Sequence, residues 1–477
     1  MILFSFFWLP IFSYLLFSIF ALEAAFFLFK FKKRKLFLPK TTLKSLAIIV
    51  AGFILTGFIV FFFLKNLSEK AFYLGLLFFD ILAPLIFSVL VLVFEPLATA
   101  WRLFLMKKAR EKRKKFKNLK VVAIVGSYGK TSTKEFLSYL LSKKYKTLKT
   151  KEHQNSEVGI SRCILDNLNE DHEYFVCEMG AYNRGGIKML CEIALPQFGI
   201  ITGINEQHLA TFGSMENLLS AEGGLELIQS LPSSGFIIFN GDNEIIKKSI
   251  ETYRLFNPKI KKLFYSTKEK KDFFAENIKV AKDFLSFEVS NSKREKAFFN
   301  LKVVGGHNIE NILAAIVAAN EFGISLKEAA DFLQDFEGKG AILLKKGKNG
   351  VDLLDSSYSA NPSGVISALN HLKLWENKKI LIMPCLIELG PAAKEVHFKI
   401  GKKIAESCDL AIIVSRDYFE EMKRGALQGG MKEEQIIFLE SPDLILQKIN
   451  PWLKAGNVIL LEGRVPQVLI SLLEREN

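Results

Sequence analysis

The sequence predicts an α-helical transmembrane region followed by two α/β domains. Three observations predict it. Residues 2–106 hold three long apolar runs flanked by Lys/Arg clusters. Residues 121–133, VVAIVGSYGKTST, join an apolar strand to a glycine turn, a Lys-Thr pair and a helix-forming run. Beyond them, short apolar runs alternate with helical patterns, as in parallel sheets with crossover helices.

The first run, 2–29, has Glu23 as its only charge and exceeds the roughly 20 residues that cross a bilayer. It lacks a basic start and a small-residue cleavage site, so an anchor is expected rather than a signal peptide. Lys30, Lys32, Lys33, Arg34 and Lys35 follow. The second run, Ser45 to Leu64, is uncharged. The third extends from Ala71 to about Ala100, interrupted by Asp80, Pro84, Glu95 and Pro96. It reads either as one tilted span or as a span plus an interfacial helix. Asp80 and Glu95 are functional intramembrane carboxylates or packing and interfacial groups. Lys107 to Lys120 is densely basic and is expected to lie as a juxtamembrane helix on anionic lipid. Positive flanks mark the cytoplasmic side, so the expectation is a multi-pass cell-membrane protein with about three spans and cytoplasmic catalytic domains.

Lys and Arg outnumber Asp and Glu by 19 to 5 in residues 1–120, and the rest of the chain carries 45 of each. The basic balance therefore belongs to the membrane region, and no nucleic-acid partner is implied. Cys163, Cys177, Cys191, Cys385 and Cys408 have no metal-type spacing and read as reduced thiols.

From residue 121 the expected domains are a central P-loop ATPase-like one, 121–335, and a Rossmann-like one, 336–477. Val121–Val125 reads as a buried strand. Gly126, Ser127, Tyr128, Gly129, Lys130, Thr131 and Ser132 then form a phosphate cradle. Glycines let backbone N–H groups close on an anion, and the helix N-terminus adds partial positive charge. Lys130 would reach the terminal phosphates of ATP and Thr131 would hold Mg²⁺. The longer GxxxxGK[ST] form would need glycine where the chain has Ile124, so this is the shorter GxxGKT form. Further strands are expected at Tyr174–Cys177, Gly199–Thr202 and Phe236–Phe239, an antiparallel edge within 255–303, and a helix from Asn308 to Phe322. The second domain's strands are expected at Val351–Leu354, Lys379–Met383, Leu410–Val414, Gln435–Phe438 and Asn457–Leu461.

Glu178 ends a strand and His208 follows the next one, so both can approach a metal at the P-loop. His208 alone reads more readily as a structural or general-base histidine. Glu222 falls on a helix, where a surface carboxylate is the ordinary reading. Asp355, Tyr358 and Asn361 lie between a strand and a helix, where they contact substrate or cap the helix. Glu388 has the same position after a strand, and His397 on the next helix is as readily a surface histidine.

VGSYGKTSTKE, HQNSEVGI, EMGA, HLATFGS, GGHNIENILAA, DSSYSANPSG and IELGPAAKEVH occur in this order. Together they resemble the Mur ligase family, ATP-dependent amide synthetases of cell-wall assembly, and most of all its D-Ala-D-Ala-adding type. The resemblance covers nearly all of 121–477. It implies ATP and Mg²⁺ as cofactors and an acyl-phosphate intermediate. It implies catalytic roles for Lys130, Glu178, His208 and Glu222, and metal positions at Thr131, Glu178 and His208. Asn308 and Asn311 match asparagines near adenine, and Lys339 a nucleotide-side residue at the domain junction. Asn155, Ser156, Asp355, Tyr358, Asn361 and Glu388 match substrate positions. The implied partners are a muramoyl peptide and a D-amino-acid dipeptide, with other membrane-bound cell-wall enzymes beside them.

The departures are specific. Glu222 aligns with a lysine that the family carbamylates; either a true carboxylate replaces the modified one, or the position has left its role. The family's paired asparagine is Asn155 followed by Ser156, and His153 stands where the family has another asparagine. Ser356 and Ser359 stand in the family's Asp-Asp-Ser-Tyr-Asn stretch, Pro384-Cys385-Leu386 replaces Gly-Asp-Met, and Gly338-Lys339 replaces Gly-Arg. Three spans stand where soluble relatives carry a UDP-binding domain. Two alternatives stay open: a Mur-like ligase acting on another amine or a lipid-linked acceptor, and a membrane P-loop ATPase that is not a ligase.

Overall fold

The computed structural model describes residues 14, 17–30, 42–205, 208–255, 257–336, 342–357 and 361–474. They divide into two compact units, Met1–Phe104 and Leu105–Asn477.

In the first unit, residues 17–30 are helical, and half of the first apolar run lies outside the described residues, as do Lys32 to Lys35. The helix Leu43–Asn66 opens with a Thr42–Ser45 capping box. The next helix, Glu69–Lys115, runs without a break through Pro84 and Pro96. Lys44–Asn66 and Gly75–Lys115 are long and apolar enough to cross a membrane, by length and composition. Phe53, Phe58, Phe61, Leu85 and Leu92 are all more than half exposed. Glu95 pairs with Lys44 of the other helix and, at 3.7 Å, with Arg102. Glu95 is thus a packing group between the two helices.

The end of the second helix belongs to the globular unit. Ala109 and Arg113 are buried there. Arg113 donates to the carbonyls of Ala194, Phe116, Leu119 and Leu195 at 2.8–3.4 Å. Lys112 donates to the Leu165 carbonyl at 2.8 Å. The expectation of a headgroup-facing basic helix therefore does not extend to these two residues: their charges are committed to protein carbonyls.

The central sheet has nine strands: β1 Lys120–Val125, β2 Thr147–Lys149, β3 Tyr174–Glu178, β4 Phe198–Ile201, β5 Phe236–Asn240, β6 Lys261–Ser266, β7 Phe273–Val280, β8 Leu285–Asn291 and β9 Lys296–Leu301. Their order is β2-β3-β1-β4-β5-β6-β7-β8-β9. Strands β2 to β7 are parallel and β7-β8-β9 form an antiparallel edge; β6, inside the 255–303 stretch expected to be antiparallel, instead pairs parallel with β5 and β7. Parallel strands are covered on both faces, which explains their unbroken apolar runs. The period of two sends Val122 and Ile124 into a core with the helices Lys130–Ser142 and Asn308–Glu321. Val121, Ala123 and Val125 enter the opposite core, under Glu157–Asn167 and Gly186–Ala194. β1 has β3 on one side and β4 on the other, so the chain reverses direction across the sheet at β1. A crevice at the carboxyl ends of these strands follows from that reversal.

The second sheet contains β10 Leu343–Lys346, β11 Asp352–Ser356, β12 Lys379–Met383, β13 Leu410–Ile413, β14 Ile436–Phe438 and β15 Val458–Glu462. The order is β10-β11-β15-β12-β13-β14, with only β10 antiparallel. The short strands β2 and β10 were not expected from sequence: each is too brief to give a periodic signal. The five cysteines are free thiols.

Candidate active site

The turn after β1 takes its shape from its glycines. Gly126 has φ +141 and Gly129 φ +79, backbone that residues with a Cβ rarely adopt. A Cβ at Gly126 would collide with Thr202 Oγ1, and one at Gly129 with Asn311 Oδ1. Gly129 caps the helix Lys130–Ser142, whose free N–H groups open toward the turn. Lys130 Nζ folds back onto the Gly126 carbonyl and lies 3.9 Å from Glu222 Oε1.

Glu178 is level with the start of this turn because parallel pairing sets it beside Ile124. Its Oε1 accepts from Thr131 Oγ1 at 3.1 Å and Asn155 Nδ2 at 3.3 Å. Its Oε2 accepts from Lys134 at 3.2 Å. Lys134 is fully buried and one helical turn beyond Lys130. The sequence reading missed it; that spacing on one helix face was the available signal.

Glu222, expected at the surface on helical grounds, is instead buried in a turn between two short helices. It accepts from Ser127 Oγ at 2.8 Å and from His208 Nδ1 at 2.8 Å. Burial pushes its carboxyl upward, but Lys130, His208 and Ser127 outweigh this and hold it below its ordinary value. His208 Nε2 lies 3.6 Å from Glu388 Oε2, so the ring stands between carboxylates of both domains.

Thr131 and Glu178 thus converge on one spot, whereas His208 turns its nitrogens to Glu222 and Glu388. Among the described residues no group of three or more His, Cys, Asp or Glu side chains could hold a metal. A hydroxyl and a carboxylate at hydrogen-bond distance fit Mg²⁺, which takes one or two protein oxygens and completes its shell with phosphate and water.

The remaining candidates separate. Asn311 lies against Gly129, and Asn308 donates to the Val304 carbonyl at 2.8 Å. Ser156 caps the helix Glu157–Asn167, and Asn361 caps Pro362–Leu372 by accepting from Gly364 N–H at 2.9 Å. Asp355 accepts from Ser357 and pairs with Lys345 at 3.0 Å; burial raises its carboxyl, but these bonds outweigh burial and leave it lowered. His397 is fully buried rather than at the surface, stacked on Tyr418. Tyr358 and Lys339 lie outside the described residues.

A glycine cradle with Lys130, Thr131 and Glu178 at the switch point of a parallel sheet, followed by a second α/β domain that reaches the same cleft, defines a P-loop nucleotide-dependent enzyme. Residues 124–319 match the Mur ligase middle domain, and 342–465 the Mur ligase, glutamate ligase domain. The chain is 27% identical over 362 residues to the UDP-N-acetylmuramoyl-tripeptide–D-alanyl-D-alanine ligase of Bacillus subtilis, covering 74% of this chain and 76% of that protein. It is 31% identical over 321 residues to the enzyme of the same name from Buchnera aphidicola subsp. Acyrthosiphon pisum, covering 65% and 67%. The crystal structure of MurF from Acinetobacter baumannii superposes with TM-score 0.69 at 25% identity, covering 78% of this chain and 81% of that one. MurF from Thermotoga maritima in complex with ADP superposes with TM-score 0.67 at 25% identity, covering 78% and 83%. The chain belongs to the Mur ligase family and is an ATP-dependent, ADP-forming amide ligase.

Proposed function

We propose that this enzyme joins D-Ala-D-Ala to a muramoyl tripeptide in peptidoglycan precursor synthesis. The observation that carries the reading is the likeness to D-alanyl-D-alanine ligases across both α/β domains. The acceptor's carboxylate attacks the γ-phosphorus of ATP and ADP leaves. The amine, having lost one proton to water, attacks the acyl carbonyl. The C–N bond forms, the C–O bond breaks, and phosphate departs with the electron pair and the second proton. Carboxylate and triphosphate repel, so their approach needs fixed positive charge and in-line positioning. Lys130 and the Gly126–Ser132 turn hold the phosphates. Mg²⁺ would be held by Thr131 and Glu178 with His208 nearby, and would supply further charge neutralisation. Lys134 and Asn155 keep Glu178 oriented. Glu222 serves as a true carboxylate holding His208 and Lys130. Asn308, Asn311 and Lys339 serve the nucleotide side, and Asp355, Tyr358, Asn361 and Glu388 the substrate side, with Ser156 shaping the Asn155 turn.

The domains are read as 1–106 membrane region, 107–120 basic connection, 121–335 ATP-binding and 336–477 C-terminal. The exposed apolar helices favour a multi-pass anchor in the cell membrane with catalysis on the cytoplasmic side, beside membrane lipid and other cell-wall enzymes. The same helices favour a second reading in which the acceptor is lipid-linked.

The test is phosphate release by detergent-purified protein with ATP, Mg²⁺ and UDP-linked muramoyl tripeptide, with and without D-Ala-D-Ala, followed by mass spectrometry for the pentapeptide. Release that needs both substrates, yields product and is lost in Lys130→Ala supports the reading. Release indifferent to any acceptor refutes it in favour of an ATPase. Product formed only from a lipid-linked acceptor moves the substrate to the membrane.

A further inference from the structure

The two α/β domains meet where Gly390 rests on Ala210, with room for no Cβ: one built there would stand 3.1 Å from Ala210 Cα. They meet again at a pair of histidines. His307, at the start of the helix Asn308–Glu321, sets Nδ1 3.0 Å from Ser367 Oγ on the helix Pro362–Leu372. His371, one turn further along that second helix, donates its Nε2–H to the Lys282 carbonyl at 3.3 Å, in the turn between β7 and β8. Lys282 also lays its ammonium over the Trp375 ring at 5.2 Å, and Trp375 stands edge-on to His371. Val304 pairs with Ile342 beside them, and a Cβ on Gly305 would meet both the His307 ring and Ile342.

This contact is built for neutral rings. Donation from Nε2 leaves His371 Nδ1 as a bare acceptor, and that nitrogen is buried without a partner. A proton taken up there would make a buried cation with nothing to receive its N–H. The surrounding charges do not relieve it. The helix Pro362–Leu372 carries no Asp, Glu, Lys or Arg. The β7–β8 turn brings the Lys282 ammonium, and Asp283 lines a neighbouring cavity with Lys302 and Asp335. Asp352 of β11 accepts from Trp375 Nε1 at 2.8 Å and pairs with Lys346, and Glu310 accepts from Asn240. Burial pushes both imidazoles below their ordinary value, and the neighbouring His371 helps to take His307 down to about 4. We propose that these residues form a clamp that holds the C-terminal domain against the central one while both histidines are neutral and releases it when either gains a proton. The placement suits such a clamp. His307 adjoins Asn308 on the nucleotide side, and the helix bearing His371 begins at Asn361 on the substrate side. Closure is complete above the ordinary histidine value and weakens as pH falls below it.

The test uses full-length protein in detergent with Trp8, Trp101 and Trp452 replaced by phenylalanine, so that acrylamide quenching reports Trp375 alone. From pH 7.5 to 5.5 the open form gains about 10-fold over the closed one from His307 alone, taking 6.5 for the freed ring and about 4 for the enclosed one. Quenching should rise by up to that factor, and the KM for ATP should rise with it. His371→Gln keeps a donor for the Lys282 carbonyl but takes up no proton, and should flatten part of both responses. His307→Asn keeps a partner for Ser367, should flatten more, and provides the answer should His371→Gln fail to fold. Protonation of ATP itself is common to all these proteins and cancels in the comparison. Quenching that stays level in wild type, or rises equally in wild type and both variants, would overturn the proposal. So would a rise accompanied by loss of helical circular dichroism, which marks unfolding in place of opening. The quenching needs no substrate, so its outcome is separate from that of the ligase reading.

Discussion

Neutralising Glu222 should weaken the fold in a pH-dependent way. The Glu222→Gln side chain keeps its shape and can still accept from Ser127, now 2.8 Å away. It loses the charge that faces Lys130 at 3.9 Å and His208 at 2.8 Å. Removing one partner of a buried ion pair costs about 3–5 kcal/mol. Here Lys130 keeps the Gly126 carbonyl as an acceptor, so we take a lower figure of about 2 kcal/mol. For a domain of this size that is a fall of about 4–8 °C in the unfolding midpoint. The assay is thermal unfolding of detergent-purified wild type and variant from pH 7 to pH 3. Because the folded carboxyl is held below its ordinary value, its contribution is complete above the unfolded value of about 4.3. It is lost as pH falls through the folded value. The gap between wild type and variant should therefore be widest at neutral pH and close on acidification. Equal midpoints at pH 7, or a gap that grows toward pH 3, would refute the reasoning.

Three further outcomes are expected. Gly129→Ala forces a Cβ into Asn311 at φ +79, and nucleotide affinity measured with a fluorescent ATP analogue should fall at least about 10-fold, the equivalent of roughly 1.4 kcal/mol. Arg113→Leu strands the carbonyls of Ala194 and Leu119 in the interior and should cost about 3 kcal/mol, read as a lower unfolding midpoint; burial already pushes this guanidinium down to about 10. Glu462, buried at the end of β15 with Oε2 unpartnered, has its carboxyl pushed up to about 8 by desolvation. The folded state then holds a proton that the unfolded state releases, so stability should fall as pH rises from about 4.3 to about 8, and Glu462→Gln should flatten that decline in a pH series of melts.

Much of the nucleotide end was legible because it is contiguous. Strand, glycine turn, Lys130 and Thr131 occupy thirteen successive residues, 121–133, and their backbone geometry follows from local rules. Glu178 was legible as a strand end. Glu222 was legible only through resemblance: helical pattern argued for the surface, and burial came from the packing of Ser127 and His208 around it. His397 misled for the same reason, since one histidine on a helix gives no sign of which face the neighbouring loop will cover.

By itself the sequence determined the apolar helices, the two α/β domains, the antiparallel edge and the phosphate cradle. These depend on periodicity and on neighbours along the chain. Only the tertiary structure decided how the charges pair. Lys134 meets Glu178 across 44 residues, Arg113 meets Ala194 across 81, and His208 in one domain meets Glu388 in the other. Such pairs are set by the strand order β3-β1-β4 and by the seat of Gly390 on Ala210. A buried charge must find its partner wherever the crossovers bring one, and no local pattern records that choice.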